Sequence, residues 1–597
     1  MTGLPPRWED VETFEKDASP KAFENLVDRL LRSPRFGERW GRHWLDVARY
    51  AETNGRDQNA AYPHAWRYRD YVIDAFNNDV PYDRFIAEQL AGDLLPAKSE
   101  PERDRLMTAT GFLAIGGKLM FESNPERFFM EMADEQIQAT SLAFMGLSVA
   151  CARCHDHKFD PITSRDYYAL AGIFRSTDVR MGFEYYFPGR PYSPAVITGG
   201  AEGRKMAEAH EAHQVIFKQA QREAGQLRNE LRQRPAGERE APEGKALQRR
   251  LDEAQARQIA IGKEAPPLPP YVMAVVDRDK PADCHVLEKG EIDSPGELAP
   301  RGFPAVLPRG PGIPANASGR LQLAQWLTRP DHPLTARVMV NRIWLHLFGR
   351  GLVDTPDNFG TTGSPPSHPE LLDELAIRFS EKGWSVKSLI RDIVLSRAYQ
   401  AGSDADAANQ ETDAANVYLW RMAPRRLDSE AIRDALLSCA GRLEFTKPES
   451  SFNERSSNVQ DGSIFRPCRS VYLPVGRENV TSYQRTFDFA DPTTCTGLRN
   501  ETTVPSQALF FMNSFFVQQQ SEFLAKLLIT FNEDDDARIQ RIFRTVLSRP
   551  AAPEELAATH RFLKKLQSQS PAMSRSFTPW TLVCQAVFGS NDFRYLR

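Results

Sequence analysis

Between residues 38 and 51, Trp40, His43, Trp44, Val47 and Ala51 fall at i, i+3, i+4, i+7 and i+11. Only a helix gathers that spacing onto one face, because side chains three and four apart lie one above the other. The same period returns along much of the chain in short runs. Residues 22–31 are amphipathic and stop at Ser33-Pro34, since a residue ahead of proline resists helical angles. Residues 65–76 and 82–90 follow, separated by the turn Asn77-Asn78-Asp79-Val80-Pro81. A longer helix is expected over 134–150. A chain punctuated in this way has to build its core from many short helices, and the spacing predicts a mostly α fold.

Composition divides the rest. Residues 202–262 are rich in Ala, Gln, Glu, Lys and Arg, poor in aromatics, and broken at Pro235-Ala236-Gly237. That pattern is a solvated helical hairpin, either a plain surface insertion or an arm for docking. Pro266-Pro267-Leu268-Pro269-Pro270 is a stiff break. Beyond it, residues 271–276 and 284–287 read as strands in a Gly- and Pro-rich stretch. Helices are expected again over 334–348, stopped by Gly349, and over 367–382, opened by the capping-box sequence Ser367-His368-Pro369-Glu370. Further ones are expected over 386–399, 429–442, 505–528, 536–547 and 553–566. The expected organisation is two helical domains, 1–200 and 318–597. Between them come a helical hairpin insert, 201–265, and a small β-rich module, 266–317.

Hydrophobic content of 41% and aromatic content of 10% suffice for packed cores, and a disordered chain falls well below them. The net charge of −4 offers no basic footprint, so nucleic acid is not an expected partner. No apolar run approaches the roughly 18 residues of a membrane helix, so no transmembrane segment is expected. Met1-Thr2-Gly3-Leu4-Pro5-Pro6 has neither the basic nor the apolar part of a signal peptide, which by itself points to the cytosol.

Cys284, Cys439, Cys468, Cys495 and Cys584 are scattered and read as small buried hydrophobes. Cys151 and Cys154 differ, because His155 follows them. Covalent haem attachment needs two thiols that reach both vinyl groups on one porphyrin face and a histidine that turns under the iron. Seven cysteines and eleven histidines in 597 residues would produce Cys-x-x-Cys-His by chance roughly once in a thousand such chains. A redox disulfide needs no histidine and usually opens a helix after a strand. A structural zinc needs four ligands, and no second Cys-x-x-Cys exists. A mixed cluster of His155, Asp156, His157 and Asp160 stays open as a non-haem metal site, and plain packing as a third reading. Haem c leads, with Cys151 and Cys154 as thioether anchors and His155 as proximal ligand. His43, His64, Met181, His346 and His368 are candidates for the sixth position.

Other polar sets carry weaker signals. His43, Asp46 and Tyr50 sit at i, i+3 and i+7, either an acid–base pair with a supporting phenol or a hydrogen-bond network locking the Trp-rich helices. Glu52, Asn54, Asp57 and Asn59 could hold calcium or another divalent metal, or form a solvated loop. Asn341, Arg342, His346, Arg469, Tyr472 and Arg477 could recognise an anionic or sugar substrate.

Phe36-Gly37-Glu38-Arg39-Trp40-Gly41-Arg42-His43-Trp44-Leu45-Asp46-Val47-Ala48-Arg49-Tyr50-Ala51 resembles the opening motif of the planctomycete cytochrome-C-type domain of unknown function. Ala65-Trp66-Arg67-Tyr68-Arg69-Asp70-Tyr71, Gln89-Leu90-Ala91-Gly92-Asp93-Leu94-Leu95-Pro96 and residues 151–162 continue it. Arg337-Val338-Met339-Val340-Asn341-Arg342-Ile343-Trp344, Gly383-Trp384-Ser385-Val386-Lys387-Ser388-Leu389-Ile390, Arg469-Ser470-Val471-Tyr472-Leu473-Pro474 and Thr503-Val504-Pro505-Ser506-Gln507-Ala508-Leu509 resemble its usual C-terminal partner domain. The resemblance covers nearly the whole chain except the hairpin. It implies a bacterial, exported protein, periplasmic or extracellular, with a start that resembles the interior of the family's amino-terminal region. It assigns no reaction, and its members occur in organisms that degrade polysaccharide.

The leading expectation is an exported haem c redox protein with a redox partner, and with action on polysaccharide as an accompanying expectation. The second is a non-haem metal-dependent polysaccharide hydrolase or lyase using His43, Asp46, His155, His157 and Asp160. The third is a non-catalytic surface or assembly protein using the hairpin.

Overall fold

The structure, a computed structural model, describes residues 1–181, 195–267, 269–448, 459–569 and 578–596. Leu268, inside the proline break, lies outside them. The protein is 56% helical, and its strands form only two-stranded sheets. The expected mostly α fold is what is found.

The Trp-rich stripe forms the helix Arg35–Val47, buried along most of its length. It packs against Ala65–Asn77 through Gly37 and Gly41; a Cβ at Gly37 would run into the Ile73 carbonyl. The helix ends three residues before Tyr50, because Arg49 turns left-handed at φ 44°. Tyr50 therefore leaves the face that its spacing suggested.

Pro125–Met145 begins at Asn124, whose side chain accepts the amides of Glu126 and Arg127. It was expected to run to residue 150. It stops at Met145 because Gly146 adopts φ 62°, and a short 3-10 turn, Val149–Arg153, then carries the cysteine motif. Ser164–Arg175 follows, opened by a Thr163–Asp166 capping box.

The strands expected as a module of their own are partly stitched to strands that precede the hairpin insert. Ala274–Asp277 pairs antiparallel with Thr177–Arg180, and Tyr271–Val272 with Val196–Ile197. Cys284–Leu287 forms a hairpin with Pro295–Ala299. The insert is a hairpin of Gly200–Gln233 and Pro242–Lys263 with a small core of Ala224, Leu227, Leu247, Leu251 and Ala254.

In the second half, Thr335–Phe348 is buried on almost every side. The capping box expected at Ser367 does not form. The helix starts at Pro369, His368 caps it without a side-chain bond, and Ser367 Oγ donates to the Leu352 carbonyl instead. Residues 505–528 form two helices, Pro505–Asn513 and Phe515–Ile529, joined at the extended Ser514. One hydrophobic core runs from Val27 to Cys495 without a break at residue 318, and a second gathers residues between Ile432 and Phe593.

Candidate functional site

Cys151 and Cys154 are free thiols on the surface, held by the Val149–Arg153 turn. Two contacts fix that turn. Tyr168 Oη donates to the Arg153 carbonyl at 2.9 Å, and Arg153 pairs with Glu131 at 2.8 Å. Gly290 lies beside Cys154 with φ 77°, and a Cβ there would come within 2.9 Å of Cys154 Sγ. The missing side chain leaves that sulfur accessible.

His155 is exposed. Its Nδ1 lies 2.7 Å from the Asp156 carbonyl, which favours the tautomer with the proton on Nδ1 and the lone pair on Nε2. Nε2 makes no hydrogen bond among the described residues. A histidine so anchored presents its second nitrogen as a metal ligand does. Two unbonded thiols, a glycine-cleared sulfur and an oriented imidazole fit covalent haem attachment. The sulfurs sit on the surface rather than in a cavity. A cavity of about 260 Å³ lies elsewhere, lined by residues such as Phe543, Phe562 and Val583.

The mixed metal cluster expected beside this motif is not gathered. His157 Nδ1 accepts the amides of Asp160 at 2.8 Å and Phe159 at 3.3 Å. Asp160 accepts the Thr361 amide at 2.7 Å and its hydroxyl at 2.9 Å. Among the described residues, no group of three or more His, Cys, Asp or Glu side chains is placed to hold a metal ion. In the loop of Glu52, Asn54, Asp57 and Asn59, the side-chain oxygens of Asn54 and Asp57 are spent on the chain. Asp57 accepts the amides of Met120 and Phe121, and Asn54 those of Lys118 and the Tyr62 hydroxyl.

His43, Asp46 and Tyr50 are not brought together as an acid–base set. Asp46 is bound by Arg42 and by Arg499 Nε at 2.6 Å, and Arg499 also grips Glu430 at 2.7 and 2.8 Å. Arg499 and Arg42 hold the Glu430 carboxyl well below the ordinary range against the opposing effect of burial. Tyr50 is buried and donates to Glu52 at 3.0 Å. His43 instead stacks on His346, with ring centroids 3.7 Å apart. Burial holds both imidazoles far below their usual pKa, helped by Arg39 and Arg499, so both are neutral at pH 7. The pairing joins residues from the two halves, and nothing local in the sequence announced it.

The other expected recognition residues serve the fold, and all but Asn341 reach across the two halves. Asn341 exchanges two hydrogen bonds with the Val353 backbone. Arg342 caps the end of Pro125–Met145 by donating to the Leu142 and Ala143 carbonyls. Arg469 binds Asp434 and Glu38, Tyr472 donates to Glu38, and Arg477 donates to carbonyls of Arg49, Thr53 and Ile115. Of the remaining candidates for the sixth position, Met181 is fully buried. His64 packs against Tyr271, and burial lowers its pKa to about 4. His368 is half-buried beside the exposed Ser367.

Residues 1–179 match the family model described as PSCyt2, protein of unknown function (DUF1549), and residues 319–563 match PSD1, protein of unknown function (DUF1553). Both are domains typical of planctomycete proteins with cytochrome-c-like domains, and neither has an assigned function. No curated protein and no solved structure matches the chain.

Proposed function

We propose that Cys151, Cys154 and His155 attach haem c and that the chain is an exported redox protein, periplasmic or extracellular. The observation that carries this reading is the pair of free, exposed thiols beside an imidazole whose Nδ1 is anchored and whose Nε2 is open. Cys151 and Cys154 would hold the group through thioether bonds, each S–H bond and vinyl π bond being exchanged for one S–C and one C–H bond. His155 Nε2 would supply a nitrogen ligand to the iron. The bound group contributes reversible one-electron chemistry at iron. The chain orients His155 through the Asp156 carbonyl and braces the turn through Tyr168 and Arg153. Export follows from the same proposal, because c-type attachment takes place outside the cytoplasm.

The test is expression with a cytochrome c maturation system. The proposal expects a Soret band, and haem staining that persists through denaturing electrophoresis and disappears in Cys151→Ser/Cys154→Ser. Colourless protein from that host, with the native helical content by circular dichroism, contradicts it.

A further inference from the structure

His43 and His346 belong neither to the cysteine turn nor to the ion-pair lattice around them. Their rings lie face to face, and Trp40 stands edge-on to both. Both residues keep a small part of their surface exposed. No ring nitrogen of either has a hydrogen-bond partner among the described residues. Trp40 Nε1, buried beside them, has none either. Buried or half-buried polar groups are normally paired, so a cluster left open asks for a ligand.

The surrounding charges select its sign. Arg39 is taken by Asp428, Arg499 by Asp46 and Glu430, and Arg342 by Asp357. Arg425 is different. Its Nη1 donates to the His346 carbonyl at 2.9 Å, and among the described residues no carboxylate lies within ion-pair distance of it. The exposed Glu501 exerts only a weak pull from further away. Arg425 lies over Gly349, at φ 86°, where a Cβ would come within 2.6 Å of its Cδ. The lone pairs of two neutral imidazoles would suit a metal cation, but beyond burial Arg39 and Arg499 lower both pKa values, Arg342 and Arg425 lower that of His346 as well, and these guanidinium groups would repel it. For an anion the same field is favourable. A planar guanidinium fork matches two oxygens of one oxyanion, and each neutral imidazole adds an N–H donor.

We propose that Arg425, His43 and His346, where the Arg35–Val47 and Thr335–Phe348 helices meet, bind a singly charged oxyanion, a carboxylate or a sulfate ester. Arg425 is the one guanidinium there without a carboxylate, and the Met1 amino group, which also acts on His43, is lowered to about 5 by burial, Arg39 and Arg425 and adds no charge at neutral pH. The site stands apart from the cysteines, so either proposal can fail without the other.

The test is histidine ring ¹⁵N spectra of the full chain at neutral pH. The protein is titrated with sodium acetate, with sodium methyl sulfate, and with sodium chloride at matched ionic strength. His43→Phe, which keeps a ring in the stack, assigns the signals. The proposal expects saturable shifts of the His43 and His346 signals with acetate or methyl sulfate and none with chloride. Which of the two saturates identifies the oxyanion. Arg425→Gln should weaken binding by about tenfold or more, since a charge-assisted fork is lost. Absence of saturation with both probes, an equal response to chloride, or undiminished affinity in Arg425→Gln overturns the site. Should Arg425→Gln not fold, Arg425→Lys keeps the charge and loses the fork, and undiminished binding there overturns it equally.

Discussion

Lys118 shows how far single residues in this protein depart from their ordinary chemistry. It is 4% exposed, donates to the Ala114 and Gly116 carbonyls at 2.6 Å, and burial pushes its pKa down to about 7. Unfolded, the same amine stays protonated up to the ordinary lysine range. Between about pH 7 and that range the unfolded state holds the extra proton, so stability rises with pH across this window and falls as pH drops through it. Urea unfolding between pH 7 and 9 should show this rise, at most about 1.4 kcal/mol per pH unit, and Lys118→Met should flatten it. An identical slope in both proteins contradicts the assignment. Gly290 is the corresponding residue at the cysteine turn. Gly290→Val should reduce the haem-stained fraction relative to total protein, because the new side chain crowds Cys154 Sγ and sits at an unfavourable φ of 77°. An unchanged fraction would show that the sulfur is reached from another side.

At the scale of elements, the sequence was legible wherever local periodicity decides the outcome. The Trp40–Trp44–Val47 stripe became a buried helix, and the residues around Pro235 became a hairpin turn. Legibility failed where a single backbone angle ends an element. Gly146 stops the long helix early, and Arg49 in a left-handed conformation removes Tyr50 from the face of His43. It failed also where a partner strand comes from outside the segment, as Thr177–Arg180 does for Ala274–Asp277. The helix contact through Gly37 gives a direct check. Gly37→Ala forces a methyl against the Ile73 carbonyl and should lower unfolding stability by about 2 kcal/mol. A loss below about 0.5 kcal/mol would mean that the two helices separate at little cost.

For the molecule as a whole, the two family-matched segments are joined by buried charges that sequence periodicity cannot reveal. Arg499 reaches Asp46, Arg469 reaches Glu38, and Arg320 binds Asp93 and Asp277. Each pair is distant in sequence, and no repeat or spacing marks its members. The shared core from Val27 to Cys495 has the same consequence, that neither segment is complete alone. Arg499→Met leaves two buried carboxylates to share Arg42 as their remaining cation and should cost up to about 3–5 kcal/mol. In calorimetry it should lower the unfolding of both segments together. A variant that lowers one transition and leaves another at its original temperature would contradict a common core. The cysteine motif stands out in the sequence because its residues are contiguous, while the His43–His346 stack was hidden because its two rings come from different halves. Peptide mass spectrometry of protein made with a c-type maturation system tests the central claim most directly. The account predicts one haem on the peptide carrying Cys151 and Cys154. That peptide recovered at its unmodified mass, with both thiols open to alkylation, would contradict it.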